Sequence, residues 1–184
     1  MKIALYLGSF NPFHNGHLKV IKTALNDYKM DKIIIVPTMQ NPWKKEKVLD
    51  FDKRVEIICK AIDSIWFKDP KKYKKELSPL FNYISVEDIE KSLIPPYYSY
   101  ATLHALKNKY CNDEVFVLCG EDTIKDIPDW MNGGEIIKDY NFLIIDRPND
   151  SISSTEVRNK VKNGEDISKY VSKNIINLIK GYYK

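Results

Sequence analysis

Short apolar runs rich in β-branched and aromatic residues recur along the chain, and between them apolar residues return every three or four positions. Runs of the first kind predict strands, and segments of the second kind predict amphipathic helices. The predicted strands are Ile3–Leu7, Lys32–Val36, Tyr83–Val86, Glu114–Cys119 and Asn141–Ile145. The predicted helices are Asn15–Tyr28, Phe51–Ile65, Ser99–Lys109, Trp130–Lys138, Ser153–Asn163 and Ser168–Lys180.

This alternation of strands and helices predicts an α/β protein with a doubly wound parallel sheet. The length of 184 residues suits a single domain, which would span residues 1–184 and end in helices. In such a sheet, ligands bind beyond the carboxyl ends of the strands, where the strand order reverses, beside the first strand. We therefore expect a site built from the segments that follow the first strand and its neighbour across the reversal.

The most informative segment is Gly8-Ser9-Phe10-Asn11-Pro12-Phe13-His14-Asn15-Gly16-His17-Leu18, which follows the first strand and opens the first helix. Glycine and proline permit a tight turn, and backbone N–H groups at the positive end of a helix dipole bind anions. His14 and His17 stand three positions apart, so both rings can face one bound phosphate chain. The alternative interpretation is that the two histidines are helix caps or surface groups.

Two further segments stand at predicted strand or helix ends. Asp122 follows Gly120 after the fourth strand, and it is either a ligand contact or the N-cap of the next helix. The run Ser153-Ser154-Thr155-Glu156 has the hydroxyls and the early acid of a capped helix start. Arg158 follows in that helix, and its planar fork can bind a phosphate through two N–H groups, which lysine cannot do.

Composition narrows the setting of the protein. The formal net charge is +4, but lysine is abundant throughout, so we interpret the cluster from Lys68 to Lys75 as a solvated surface without a nucleic-acid partner. Three widely spaced cysteines, Cys59, Cys111 and Cys119, predict buried thiols in a reducing compartment. No apolar run approaches the ~20 residues that a membrane span needs. We expect a cytoplasmic protein with no membrane partner.

The segment from Gly8 to Leu18 resembles the (S/T)-x-x-P-x-x-x-G-H signature of the nucleotidyltransferase superfamily, whose members have a Rossmann-like fold. The run Ile152-Ser153-Ser154-Thr155-Glu156-Val157-Arg158 resembles its second signature, I-S-S-T-x-(I/V)-R. Three more stretches resemble nicotinate mononucleotide adenylyltransferases: Val36-Pro37 through Asn41-Pro42-Trp43-Lys44, Tyr98-Ser99 with Thr102-Leu103, and Gly120-Glu121-Asp122 with Pro128-Asp129-Trp130. The resemblance covers nearly the whole chain and is thinnest between about Trp66 and Asn82.

The resemblance implies that the protein transfers the adenylyl group of ATP to nicotinate mononucleotide, giving nicotinate adenine dinucleotide and pyrophosphate in NAD biosynthesis. Mg²⁺ would be the cofactor, carried by the ATP phosphates with no metal ligands from the protein. The nucleophile is already anionic, so the enzyme mainly positions and neutralises two polyanions. The resemblance assigns this catalytic work to His14, His17, Lys44 and Arg158.

The resemblance also implies binding residues. ATP would contact Gly8, Ser9, Phe10, His14, Gly16, His17, Gly120, Asp122, Ile152, Ser154, Thr155 and Arg158. Nicotinate mononucleotide would contact Lys44, Tyr98, Ser99, Thr102, Trp130 and Met131. Trp130 would stack on the pyridine, and N–H groups near Ser99 and Met131 would receive its carboxylate. Arg54 would make either an ion pair or a substrate contact.

Several alternatives stay open. The acceptor could be nicotinamide mononucleotide or phosphopantetheine, or the enzyme could couple CTP to a small phosphate such as glycerol phosphate. A nucleotide-binding regulator, or a basic nucleic-acid-binding module that kept the fold without catalysis, is a different class. A homo-oligomer and a monomer are both open.

Overall fold

The computed structural model of the protein describes residues 1–40, 48–66, 83–146 and 152–184, without the side chains of residues 64–66. Lys44 and its neighbours Pro42 and Trp43 lie outside the described residues. The lysine cluster from Lys68 to Lys75 also lies outside them. The predictions made for these residues stay predictions.

One five-stranded parallel sheet lies at the centre of the fold, with the strand order β3-β2-β1-β4-β5. Its strands are β1 Lys2–Gly8, β2 Lys32–Pro37, β3 Ile84–Val86, β4 Glu114–Cys119 and β5 Asn141–Ile144. The central strands are apolar on both faces because helices cover both sides of the sheet. The predicted α/β class with a doubly wound, Rossmann-like parallel sheet is confirmed.

The described helices lie between and after the strands. They are α1 Asn15–Asn26, α2 Phe51–Trp66, α3 Ser99–Lys109, α4 Glu121–Asp126, α5 Gly133–Asp139, α6 Ser154–Lys162 and α7 Ile176–Tyr182. Short 3-10 helices occur at Ile89–Ser92, Ile127–Asp129 and Lys173–Ile175.

Alternate residues of β2 enter the cores on opposite faces of the sheet. Ile33 and Ile35 pack against α1, α2, α6 and α7, while Ile34 and Val36 pack against α3 and the segment around α5. The strand order reverses beside β1, which pairs with β2 on one side and with β4 on the other. The loop after β1 and the segment after β4 therefore leave the sheet as direct neighbours, as predicted.

Two of the predicted helices were wrong in extent. Residues 168–172 are turns and bends, and the helix there is Ile176–Tyr182. The carbonyls of Lys169 and Tyr170 accept hydrogen bonds from Asn15, and Ser168 bonds to Asp166, so these groups compete with helix formation. The helix predicted from Trp130 begins at Gly133, and the short helix α4 was not predicted.

The prediction of three buried thiols was also wrong. Cys119 is buried at the end of β4, whereas Cys59 and Cys111 are exposed. Cys59 lies on the outer side of α2, beside the buried pair Ile57 and Ile58, so helical geometry directs it outward. Within the described residues, no helix is both long enough and apolar enough to cross a membrane.

Candidate active site

The loop after β1 begins with a strained turn. Phe10 has a φ of 45°, a left-handed conformation that a bulky residue adopts only when its surroundings hold it there. Its ring packs edge-on against Tyr6 at 5.3 Å and against His17 at 5.0 Å. A Cβ at Gly8 would lie 3.1 Å from that ring, so glycine gives Phe10 the room to turn inward.

His14 and His17 cap α1 reciprocally. The Gly16 N–H donates to His14 Nδ1 at 3.1 Å, and the His14 N–H donates to His17 Nδ1 at 3.1 Å. This is a capping box with two imidazoles in place of the usual hydroxyl and carboxylate. Both rings are buried, with 1% and 5% of their surface exposed, so the surface-group interpretation is wrong and the cap interpretation is confirmed.

The caps determine which nitrogen of each ring carries the proton. Since a backbone N–H can only donate, both Nδ1 atoms must be acceptors. The proton of each neutral ring therefore lies on Nε2, which makes Nε2–H a hydrogen-bond donor. The ring centroids are 3.8 Å apart, and Phe13 stacks on His17 at 5.1 Å. Capping therefore uses only the Nδ1 atom of each ring.

Helix α6 contacts the same loop from the other end of the chain. Ser153 is its N-cap, and its hydroxyl accepts the Glu156 N–H while the Glu156 carboxylate accepts the Ser153 N–H. The Glu156 pKa lies below its usual value because of these hydrogen bonds from Ser153. The predicted capping arrangement is confirmed, since Ser153 caps and Ser154 does not.

Side chains of α6 bond to the main chain of the loop. Ser154 Oγ donates to the Pro12 carbonyl at 2.9 Å. Arg158 donates from Nη1 to the Asn11 carbonyl at 2.6 Å and from Nη2 to Thr155 Oγ1 at 3.1 Å. The two signature segments, which lie far apart in the sequence, are thus in direct contact.

Tyr183 fixes the loop from a third direction. Its buried hydroxyl donates to Asn11 Oδ1 at 2.7 Å, and the Leu49 N–H donates to the same oxygen at 3.2 Å. Burial raises the pKa of Tyr183, with opposition from Arg54 and Arg158, so the phenol remains a donor. Neither Tyr183 nor Asn11 was predicted, because no local pattern links residues so far apart in the sequence.

The segment after β4 lines the other side of the crevice. Gly120 takes the N-cap position of α4, and Asp122 is an exposed residue in its first turn, so of the two alternatives for Asp122 the N-cap was wrong. Ile152 is half-buried and packs against the core beside α6.

A narrow cavity of about 60 Å³ lies between the ends of β1 and β4. Its walls combine apolar side chains, among them Leu7, Leu103, Ile127 and Trp130, with polar surface. Trp130 is half-buried and packs against the core on the α3 side of the sheet. The predicted stacking residue therefore stands at the carboxyl ends of the strands.

The other predicted acceptor residues differ in exposure. Tyr98 and Ser99 form the half-buried start of α3, and Met131 is 46% exposed beside Trp130. Thr102 is fully buried, and its hydroxyl donates to Glu90 Oε1 at 2.8 Å. A direct substrate contact was predicted for Thr102, but in this structure its side chain bonds to another protein side chain.

Arg54 was expected to make either an ion pair or a substrate contact. Its side chain is 1% exposed and donates to the Leu49, Ser9 and Met39 carbonyls. Arg54 is thus a link between main-chain segments, a role that neither alternative described. Glu90, which the sequence analysis did not single out, is also buried near it. In the part of the chain that the structure describes, no group of three or more His, Cys, Asp and Glu residues could hold a metal ion.

The cytidylyltransferase-like family model matches residues 5–160, which include both signature segments and every strand except the first residues of β1. The chain belongs to this family. The family match agrees with the architecture, because the matched range ends inside α6, which contacts the loop after β1.

Relatives within the family extend over the full chain. A Fusobacterium nucleatum protein described as a probable nicotinate-nucleotide adenylyltransferase is 36% identical, with 100% of this chain and 99% of the relative covered. A Flavobacterium johnsoniae protein of the same description is 31% identical, with 91% and 90% covered. The resemblance to nicotinate mononucleotide adenylyltransferases inferred from the signatures is confirmed.

Solved structures share the fold. Plasmodium falciparum nicotinic acid mononucleotide adenylyltransferase complexed with NaAD superposes with a TM-score of 0.72 at 21% identity, covering 98% of this chain and 95% of that chain. The same enzyme complexed with APC gives a TM-score of 0.69 at 22% identity, covering 98% and 94%.

Proposed function

We propose that this protein is an adenylyltransferase that joins the phosphate of nicotinate mononucleotide to the α-phosphorus of ATP and releases pyrophosphate. The single observation that carries the proposal is the shared cap of His14 and His17, with both Nδ1 atoms occupied by backbone N–H groups. Two Nε2–H donors at one helix N-terminus suit a polyphosphate, because donors and helix dipole act on the same anion.

The reaction forms one P–O bond from the acceptor phosphate to the α-phosphorus and breaks the bond to the bridging oxygen of pyrophosphate. Negative charge grows on that bridging oxygen, so the required groups are donors and cations placed in advance. We assign this work to His14, His17 and Arg158, with Thr155 and Ser154 at the start of α6. Lys44 remains part of the proposal on the grounds of sequence alone.

We place ATP along the loop after β1 and the start of α6, with Gly8, Ser9, Phe10 and Gly16 giving it main-chain surface. Gly120, Asp122 and Ile152 would border the nucleoside. Mg²⁺ enters as part of the ATP substrate and offsets the repulsion between the two polyanions.

The acceptor would lie on the α3 side of the crevice. Trp130 offers an aromatic plane beside the cavity, and the first turn of α3 at Ser99 offers N–H groups that a helix leaves without internal acceptors. Tyr98 and Met131 would border the ring. Since Thr102 is buried against Glu90, we assign it a supporting position with no direct contact. The setting we propose is cytoplasmic.

The test is a pyrophosphate-release assay with ATP and CTP against four acceptors: nicotinate mononucleotide, its amide counterpart, phosphopantetheine and glycerol phosphate. We expect ATP with nicotinate mononucleotide to be used best, and activity to be lost with EDTA and restored by Mg²⁺. The acid should exceed the amide by at least about tenfold in kcat/KM, which is roughly 1.4 kcal/mol, since an amide N–H₂ group would face N–H donors.

Trp130→Ala is the matched variant for the acceptor site. It should raise KM for nicotinate mononucleotide and leave KM for ATP within about twofold, because it acts on acceptor placement alone. Equal use of acid and amide would contradict the proposed acceptor, and no pyrophosphate release with any pair would favour a nucleotide-binding regulator.

A further inference from the structure

The main chain of Met39, just beyond β2, is held by two buried charged side chains from different elements. Its N–H donates to Glu90 Oε2 at 2.6 Å, and its carbonyl accepts from Arg54 Nη2 at 3.2 Å. Arg54 and Glu90 are each 1% exposed. Removing two charges from water is unfavourable unless both are well bonded, and here both are bonded to the main chain of Met39.

Arg54 also connects Met39 to the loop after β1. Its Nη1 donates to the Ser9 carbonyl at 2.7 Å, and its Nε donates to the Leu49 carbonyl at 2.7 Å. The planar guanidinium thus bonds to three main-chain carbonyls in three segments. Lysine could not do the same, since an ammonium group has no fixed fork of donors. Ser9 lies immediately before Phe10, whose ring packs on His17.

Glu90 connects Met39 to the start of α3. Its Oε1 accepts the Thr102 hydroxyl at 2.8 Å, while Oε2 is bonded to Met39. Thr102 in turn donates its N–H to the Tyr98 carbonyl. A chain of bonded residues therefore joins the loop after β1, which we propose binds the ATP phosphates, to the segment proposed to hold the acceptor. It runs through Ser9, Arg54, Met39, Glu90 and Thr102.

The pKa shifts of Arg54 and Glu90 indicate that each charged group depends on the other. Burial raises the pKa of Glu90, and the hydrogen bonds from Met39 and Thr102 and the charge of Arg54 oppose the rise. Burial lowers the pKa of Arg54, and the negative charges of Glu90 and Asp50 oppose the fall. Each charge is therefore tolerated partly because the other is present.

We propose that Arg54 and Glu90 are positioning residues that set the distance between the ATP-phosphate loop and the acceptor segment through the main chain of Met39. This inference rests on the proposed adenylyl transfer, because it assigns the two connected segments to the two substrates. Neither residue touches a substrate; both act through the residues they bond. A displacement of about 1 Å between reacting groups can lower a rate a hundredfold, so such a link affects catalysis strongly.

The experiment compares Arg54→Lys, Glu90→Gln and the double variant with a control series, Ile58→Val and Ile58→Ala. Ile58 is fully buried on α2, one helical turn beyond Arg54, and none of the hydrogen bonds of the Met39 link uses its side chain. The control series gives a range of melting temperatures while every hydrogen-bonding group of the link is kept. Every protein is assayed at a temperature at which circular dichroism shows it to be folded.

We expect Arg54→Lys to lower kcat/KM at least about tenfold and to raise KM for ATP. Glu90→Gln should mainly raise KM for nicotinate mononucleotide. The fold-loss of kcat/KM in the double variant should be smaller than the product of the two single fold-losses, because Arg54 and Glu90 both act through Met39. The Ile58 variants should keep kcat/KM within about twofold of the parent. If Glu90→Gln does not fold, Thr102→Val takes its place, since it removes the hydroxyl at nearly constant volume.

A second measurement is independent of activity. Amide exchange at Met39 should be at least about tenfold faster in Glu90→Ala than in the parent, and unchanged in Ile58→Val. If the parent transfers no adenylyl group, the proposed function fails whatever the exchange shows. If the parent is active, Arg54→Lys and Glu90→Gln are compared with an Ile58 variant of equal melting temperature. The positioning role is overturned if they lose no more kcat/KM than that variant does.

Discussion

The imidazole rings of His14 and His17 lie 3.8 Å apart, and each accepts a backbone N–H of the helix start through Nδ1. Helix capping uses Nδ1, whereas the proposed phosphate contact uses Nε2, so a substitution can remove the proposed contact and keep the cap.

His14→Asn should retain the cap and lose the Nε2–H group that we propose contacts phosphate. Asparagine is among the best N-cap residues, so we expect stability within about 0.5 kcal/mol of the parent and a rate lowered about a hundredfold. His14→Ala should lose a similar rate factor and about 1 kcal/mol of stability in addition. Urea unfolding and steady-state kinetics measure both. An Asn variant with parental activity would show that His14 serves only as a cap. His17→Ala should lose activity to a similar extent.

Arg158→Lys should weaken the use of ATP by roughly 1.5–3 kcal/mol in kcat/KM, the scale of a charge-assisted hydrogen bond. Arg158 bonds to Asn11 and Thr155 through two different nitrogens, and an ammonium cannot reproduce that fork. The control is Lys162→Arg on the same helix, which changes an exposed residue and should have no effect. Unchanged ATP kinetics in Arg158→Lys would limit Arg158 to its structural bonds with Asn11 and Thr155.

Gly133→Ala should be far more harmful than Gly134→Ala. A Cβ at Gly133 would lie 1.9 Å from the Ile127 carbonyl, so the turn that carries Trp130 must shift, whereas a Cβ at Gly134 meets nothing within 4 Å. We expect Gly133→Ala to lose about 1–3 kcal/mol of stability, typical of overpacking, and to raise KM for the acceptor. Gly134→Ala should be stabilised by about 0.5–1 kcal/mol, as is usual for glycine in a helix. Equal melting temperatures would contradict the geometry of this turn.

Tyr183→Phe should lower stability by about 1–3 kcal/mol near neutral pH, because it leaves Asn11 Oδ1 with fewer donors in a buried place. The folded-state pKa of Tyr183 is raised above 10.0, so its contribution is present below that pH and is lost as the pH rises. In that range the native state binds one more proton, and stability falls by about 1.4 kcal/mol per pH unit.

The matching measurement is urea unfolding of both proteins between about pH 8 and about pH 11. This range runs from about two units below to about one unit above the ordinary pKa of tyrosine. Burial also raises the pKa of Tyr110 to about 12 and of Tyr140 to about 12, so some alkaline loss remains in the variant. The prediction would be contradicted if the unfolding free energy of Tyr183→Phe fell with rising pH as steeply as that of the parent.

The sequence was sufficient for the sheet and for the two signature segments because both depend on local patterns. The apolar run of β2 and the glycine, proline and histidine spacing after β1 each have one plausible structural outcome. The general rule for doubly wound sheets placed the first strand beside the reversal, with the fourth strand as its neighbour, but it did not give the full strand order.

What the sequence could not provide was contact between distant residues. The links from Arg54 to Ser9, from Glu90 to Met39 and from Tyr183 to Asn11 join segments far apart in the chain, and no periodicity encodes them. The helix predicted from Ser168 failed for the same reason, since Asn15 takes carbonyls that a helix would have used.

The loop after β1 is contiguous in the sequence, but it takes its shape from Arg54, Ser154, Arg158 and Tyr183. A short peptide carrying Gly8 to Leu18 alone would therefore have no preformed phosphate cradle, and neither would a partly folded chain. If ATP binds only the finished fold, it acts as a folding ligand: at a hundred times its dissociation constant it would stabilise the native state by about 2.7 kcal/mol. The ATP concentration would then influence how much of the protein is folded, in addition to the rate at which the folded protein turns over.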